Sequence, residues 1–120
     1  MNLGKLATVA ALCAALAGCA TGTKPPSSAS VVFALAGSYT ETANAEAAYL
    51  ALPACPTSAP LCYDPVVKPI MKHYSDQAFQ ALQPVVLAAQ NGTAVDAVEL
   101  EAAQAAVKAL SDYVATHKVN

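Results

Sequence analysis

The sequence predicts a small all-α protein, a three-helix bundle with one disulfide-closed loop. Three observations point there. Alanine, the strongest helix former, supplies 29 of the 120 residues. Apolar residues recur at three- and four-residue steps through three separate stretches, the period of a helix with one buried face. Breakers gather between those stretches, in Pro53 to Asp64 and at Asn91-Gly92, and no segment alternates with the two-residue period of a strand. No internal repeat is evident.

Taken in order, the chain opens with a short start, Met1 to Lys5, whose only charge is Lys5. An apolar run follows from Leu6 to Leu16, interrupted by Thr8 and Cys13, and then the small pair Ala17-Gly18. This is the layout of an export signal. The run falls short of the roughly 20 apolar residues that span a bilayer. Leu16-Ala17-Gly18-Cys19 resembles the lipobox of bacterial lipoproteins: a leucine, two small residues and a cysteine. The resemblance implies cleavage between Gly18 and Cys19, a diacylglyceryl group on the Cys19 thiol, and a palmitate-type acyl chain on the freed amino group. Two lipid chains, at about 0.8 kcal/mol per buried methylene, make a stable anchor. Cys13 does not fit, because bulky Leu12 precedes it.

The expected organisation is therefore a signal peptide over residues 1–18, lipidated Cys19 with a flexible linker over 19–30, and a helical domain over 31–120. Residues 20–30 are small, polar and proline-containing, and eleven residues extend at most about 36 Å. Ala20, in place of the aspartate that retains some lipoproteins at the inner membrane, points by resemblance to the outer membrane and its periplasmic face.

Removing residues 1–18 leaves 120 − 18 = 102 residues, enough for one small domain. The mature part keeps five lysines and all eight acids, a side-chain charge of 5 − 8 = −3, and the chain has no arginine. That balance argues against nucleic-acid binding and against a basic helix face for anionic lipid.

Cys55 and Cys62 form an isolated pair once Cys19 is committed to lipid. In an oxidising compartment they are expected to form a disulfide. Its eight-residue loop is worth about 2.5 kcal/mol on chain-entropy grounds. A redox motif would place two residues between the cysteines rather than six, and a zinc site would need further ligands nearby.

The first helix is expected from Val31 to Leu52, capped by Ser28 or Ser30, with Val32, Leu35, Tyr39, Thr42, Tyr49 and Leu52 on one stripe and Glu41 and Glu46 outside it. Gly37 is its weak point. After the proline-rich loop, Asp64-Pro65 resembles a helix start, yet Pro69 lacks an amide. Either residues 65–68 form a separate turn or the second helix starts near Pro69. Ile70, Tyr74, Ala78, Ala81, Val85 and Ala89 form its expected inner face, and Pro84 predicts a kink or a break after Leu82. Asn91-Gly92 stops it. Thr93 and Asp96 resemble a capping box for the third helix, which reaches about His117. Its expected face holds Val95, Val98, Ala102, Ala106, Leu110, Tyr113 and His117, with Leu100, Val107 and Val114 on an adjacent stripe. The short second link implies an antiparallel hairpin.

Few residues suggest chemistry. His73, Asp76 and His117 are the candidate metal or acid–base set, although a solvated helix surface explains them as well. No glycine-flanked serine, free mature cysteine with a base, or glycine-rich phosphate loop is present. The five tyrosines suggest a sugar or peptidoglycan platform, but core-rim packing is the simpler account. Beyond the lipobox, Tyr49-Leu50-Ala51-Leu52-Pro53-Ala54-Cys55 and Leu61-Cys62-Tyr63-Asp64-Pro65 with two alanine-rich helices resemble small helical envelope and prophage-encoded proteins of unassigned function. That resemblance implies no reaction or ligand.

The leading expectation is a non-enzymatic, lipid-anchored envelope lipoprotein without cofactor or metal, acting as a spacer or protein-interaction module. Its partners would be the membrane, through the anchor, and another envelope protein or peptidoglycan. The alternatives are a prophage lysis accessory lipoprotein of the outer-membrane spanin type and a metal-binding periplasmic module.

Overall fold

A computed structural model describes residues 27–56 and 58–117. The expected export signal, Cys19 and most of the expected linker lie outside those residues. Three helices make up the fold: α1 (Ser28–Leu50), α2 (Val67–Gln90) and α3 (Ala97–Thr116), with no strand among the described residues. Each helix packs on both others, most extensively α2 on α3. None is long and apolar enough to cross a membrane.

α1 starts three residues earlier than the sequence suggests, and its cap is Ser27 rather than Ser28 or Ser30. The Ser27 backbone is extended, and its hydroxyl accepts from the Ser30 amide at 3.2 Å. The Ser30 hydroxyl donates back to the Ser27 carbonyl at 2.8 Å, so the pair closes the first turn. Further along, Ser38, Thr40 and Thr42 turn their hydroxyls onto carbonyls one turn back, at 3.2, 2.9 and 2.8 Å. The helix ends at Leu50; Leu52 lies beyond it but still packs against the core.

α2 begins at Val67, between the two expected starts. The Val67 amide bonds the Asp64 carbonyl, so residues 64–67 make a turn that runs straight into the helix. Pro69 then sits in the first turn, where amides have no helical partner, and its missing N–H costs little. Pro84 does not break the helix, which continues to Gln90. Pro84 and Gln80, whose carbonyl the proline leaves free, are both exposed, so water can satisfy that carbonyl.

The end of α2 is a Schellman motif. Gly92 has φ 67°, a conformation glycine adopts without Cβ strain, and the amides of Gly92 and Thr93 bond the Ala89 and Ala88 carbonyls. This corrects the expected cap of α3. The Thr93 hydroxyl and amide both point back to the Ala88 carbonyl, so Thr93 belongs to α2. Asp96 is the α3 cap instead, its carboxylate accepting from Val98 and Glu99 at 2.9 and 3.0 Å.

The core comprises Val32 and Tyr49 of α1; Val67, Met71, Ala78, Leu82 and Val85 of α2; and Ala103, Val107, Leu110 and Val114 of α3. On α2 the buried arc is turned by roughly half a residue step from the expected one, so Met71 and Leu82 are inside while Ile70 is exposed. On α3 it is turned by about a full step onto the adjacent stripe of Val107 and Val114. Val98 is thereby 75% exposed, and Ala102 faces solvent. Each helix meets two neighbours, so its buried arc centres between them rather than on the longest apolar register.

Candidate functional site

The features with chemical interest collect where α1 ends, the loop closes, α2 begins and α3 ends. Cys55 and Cys62 form a disulfide with Cα atoms 5.3 Å apart. Beside it the Cys55 amide bonds the Tyr63 carbonyl and the Tyr63 amide bonds the Pro53 carbonyl, both at 2.9 Å, so the two arms of the loop run as a single parallel bridge. Asp64 ties this loop to the helices. Its amide donates to the Tyr49 hydroxyl at 3.0 Å, and its carboxylate accepts from the Val66 amide at 2.9 Å.

Six rings run in contiguous contact across this end of the bundle. Tyr63 meets Tyr49 edge-on at 6.3 Å, and Tyr49 meets His117 at 6.1 Å. His117 lies 4.6 Å from Tyr113, Tyr113 lies 5.1 Å from Tyr74, and Tyr74 meets His73 edge-on at 6.2 Å. Tilted and edge contacts at these separations are the favourable geometries for aromatic pairs. The row joins all three helices and the loop. Desolvation pushes the Tyr113 hydroxyl above its ordinary pKa, helped by the neighbouring Tyr74, Tyr49 and Asp64.

His117 ends α3 with a defined orientation. Its Nδ1 lies 2.8 Å from the Tyr113 carbonyl, which can only accept, so Nδ1 carries the proton. The Thr116 hydroxyl, 2.9 Å from the same nitrogen, donates to that carbonyl at 2.7 Å and is left to accept. In the neutral ring, Nε2 is then the nitrogen with a free lone pair.

The candidate metal or acid–base set is not brought together as one site. Asp76 receives Lys72 in an exposed ion pair with N–O distances of 2.8 and 3.0 Å, the hydrogen-bonded carboxylate holding the Lys72 ammonium above its usual range. His73 packs on Tyr74, whereas His117 packs on Tyr113 and Tyr49. No group of three His, Cys, Asp or Glu residues among the described residues is arranged to hold a metal.

Sequence reasoning missed Glu46. The expected α1 stripe leaves it out, yet it follows Tyr39 by seven residues, two helical turns, and so shares its face. In the structure it is 9% exposed and lies near Ser75 of α2. Burial raises its pKa, and nearby Asp76 adds to the rise, against the pull of Ser75 and Lys72. The i, i+7 spacing was the available signal. Its strength was masked because a carboxylate is rarely buried.

Around the ring row, Leu61, Val66 and Ile70 are exposed by 48, 68 and 41%. Apolar side chains fixed at the rim of an aromatic cluster suit contact with another surface more than chemistry on a small molecule. Comparison of the chain with protein-family models, with curated proteins and with solved structures finds no match.

Proposed function

We propose that the chain is a lipid-anchored envelope protein of the bacterial periplasm, held through Cys19 and working as a protein-interaction module rather than an enzyme. The observation that carries the interaction reading is the disulfide end of the bundle. Leu61, Val66 and Ile70 are exposed there on a loop and helix start that are cross-tied by Cys55–Cys62 and by Asp64 on Tyr49. A pre-ordered apolar patch loses little conformational entropy on binding, which favours association. The linker enters at Ser27, at the opposite end of the 23-residue α1, about 35 Å away at 1.5 Å per residue. The first residue of the described bundle and the patch are therefore separated by the length of α1.

The anchor is tested by mass spectrometry of the membrane fraction, where a mature N-terminus other than acylated Cys19 would refute it. The interaction is tested by crosslinking envelopes that carry the wild-type protein or the Val66→Asp, Ile70→Asp double variant. The reading expects an envelope protein captured by the wild type and lost with the variant. Equal recovery by both, or nothing above a lipid-tethered control, would remove it.

A further inference from the structure

A groove runs between α1 and α2 on the side of the bundle away from α3. It encloses about 320 Å³ and is lined in part by Ala36, Tyr39, Thr40, Phe79, Gln83 and Leu87. None of its lining residues is charged. The one hydroxyl that α1 contributes besides tyrosine, that of Thr40, is turned onto the Ala36 carbonyl at 2.9 Å, so it asks nothing of an occupant. Phe79 and Leu87 remain 50 and 57% exposed, and Phe33, one turn before Ala36 on the same face, is 50% exposed.

The groove runs from the middle of the bundle toward the end where the chain enters from the linker. Ala36 and Thr40 are nine and thirteen residues past Ser27, about 14 to 20 Å along the helix. Cys19 precedes Ser27 by eight residues, which extend at most about 26 Å. A lipid anchored at Cys19 thus keeps this face within reach of the bilayer at all times. Tethering converts a weak contact into an intramolecular one at high effective concentration. Aromatic and aliphatic side chains without neighbouring charge suit the boundary between headgroups and acyl chains. The absence of a basic face leaves anionic headgroups no special role.

We infer that the α1–α2 face, centred on Phe79 and Leu87, lies on the bilayer surface, so that the bundle rests along the membrane and the disulfide end faces sideways. The inference rests on the lipid-anchored reading and gives that module an orientation, which an upright spacer would not have.

Tryptophan is absent from the chain, so one substitution makes a unique fluorescent reporter. Full-length Phe79→Trp and Leu87→Trp, expressed with the export signal and purified from membranes, are placed in phosphatidylcholine vesicles with plain or brominated acyl chains. Ala105→Trp, on the exposed outer face of α3, is the control. Circular dichroism identifies which reporters fold, and two positions on the face guard against the loss of one. The expected result is blue-shifted emission, quenched by brominated lipid, at Phe79→Trp and Leu87→Trp, with neither change at Ala105→Trp. Emission like the control's in a chain whose acylated Cys19 is verified by mass spectrometry overturns the face while leaving the anchor. A blue shift that grows with protein concentration and ignores brominated lipid assigns the face to a second copy and also overturns it. A chain with unmodified Cys19 overturns the anchor, and the orientation with it.

Discussion

At the disulfide end of the bundle, a covalent bond, a backbone bridge, the Asp64 amide on the Tyr49 hydroxyl and six rings in contact tie three helices and a loop together. At the linker end, the described helix ends are closed by local devices: the Ser27–Ser30 pair, the Gly92 turn and the Asp96 cap. There Phe33, Leu87 and Val98 face outward, around buried Val32, Leu82, Val85 and Ala103. The difference shows two ways to complete a small helical domain whose core is built mainly of valine. One end adds a stapled loop and ring contacts between helices; the other relies on aliphatic packing and local caps.

The comparison is most sharply broken by truncating one apolar side chain at each end. Met71→Ala removes a fully buried side chain near the start of α2 and should cost about 2–5 kcal/mol, whereas Leu87→Ala should stay within about 0.5 kcal/mol. Urea midpoints of the two variants check this, and equal losses would contradict the assigned burial. Replacing both Cys55 and Cys62 by serine should lower stability by about 2.5 kcal/mol and reduce the near-ultraviolet dichroism of the ring row. Tyr49→Phe leaves the partly buried Asp64 amide without its partner and should cost about 1 kcal/mol, with faster hydrogen exchange at that amide. At the linker end the sign reverses. A Cβ on Gly37 meets nothing within 4 Å, so Gly37→Ala should stabilise by about 1 kcal/mol, read as a higher thermal midpoint.

The smallest effect is a pH slope. Burial holds the Glu46 pKa in the folded chain above the ordinary 4.5, so the folded state binds that proton more tightly than the unfolded one. Its contribution is present below the ordinary value and is lost as pH rises through the folded value. Glu46→Gln should therefore lose less stability than the wild type between acid and neutral pH, measured as urea midpoints across that range.

Much of this was legible in the residues, because it depends on local chemistry. The three helices follow from alanine content and spacing, and the stop at Asn91-Gly92 from a backbone conformation that glycine tolerates. The pairing of Cys55 with Cys62 follows from their isolation. Helix phase was not legible. On α3 the sequence carries two apolar stripes that share little beyond Leu110's neighbourhood, and α1 and α2 together select the one with Val107 and Val114. Caps within a few residues of one another were equally ambiguous. Thr93 and Asp96 both have the side chain for the role, and the Ala88 carbonyl takes Thr93 out of contention. The ring row joins residues from Tyr49 to His117, so no local pattern announces it.

Local chemistry along the chain sets where the three helices form, the stop at Asn91-Gly92, which cysteines pair and the resemblance of the N-terminus to a lipoprotein signal, since each depends on near neighbours. Packing between helices puts Glu46 inside and Ile70 and Val98 outside, brings six rings together at one end, and opens an uncharged groove between α1 and α2. Those outcomes depend on how each helix is rotated against two others, a balance of contacts between residues distant in sequence that no single stretch encodes.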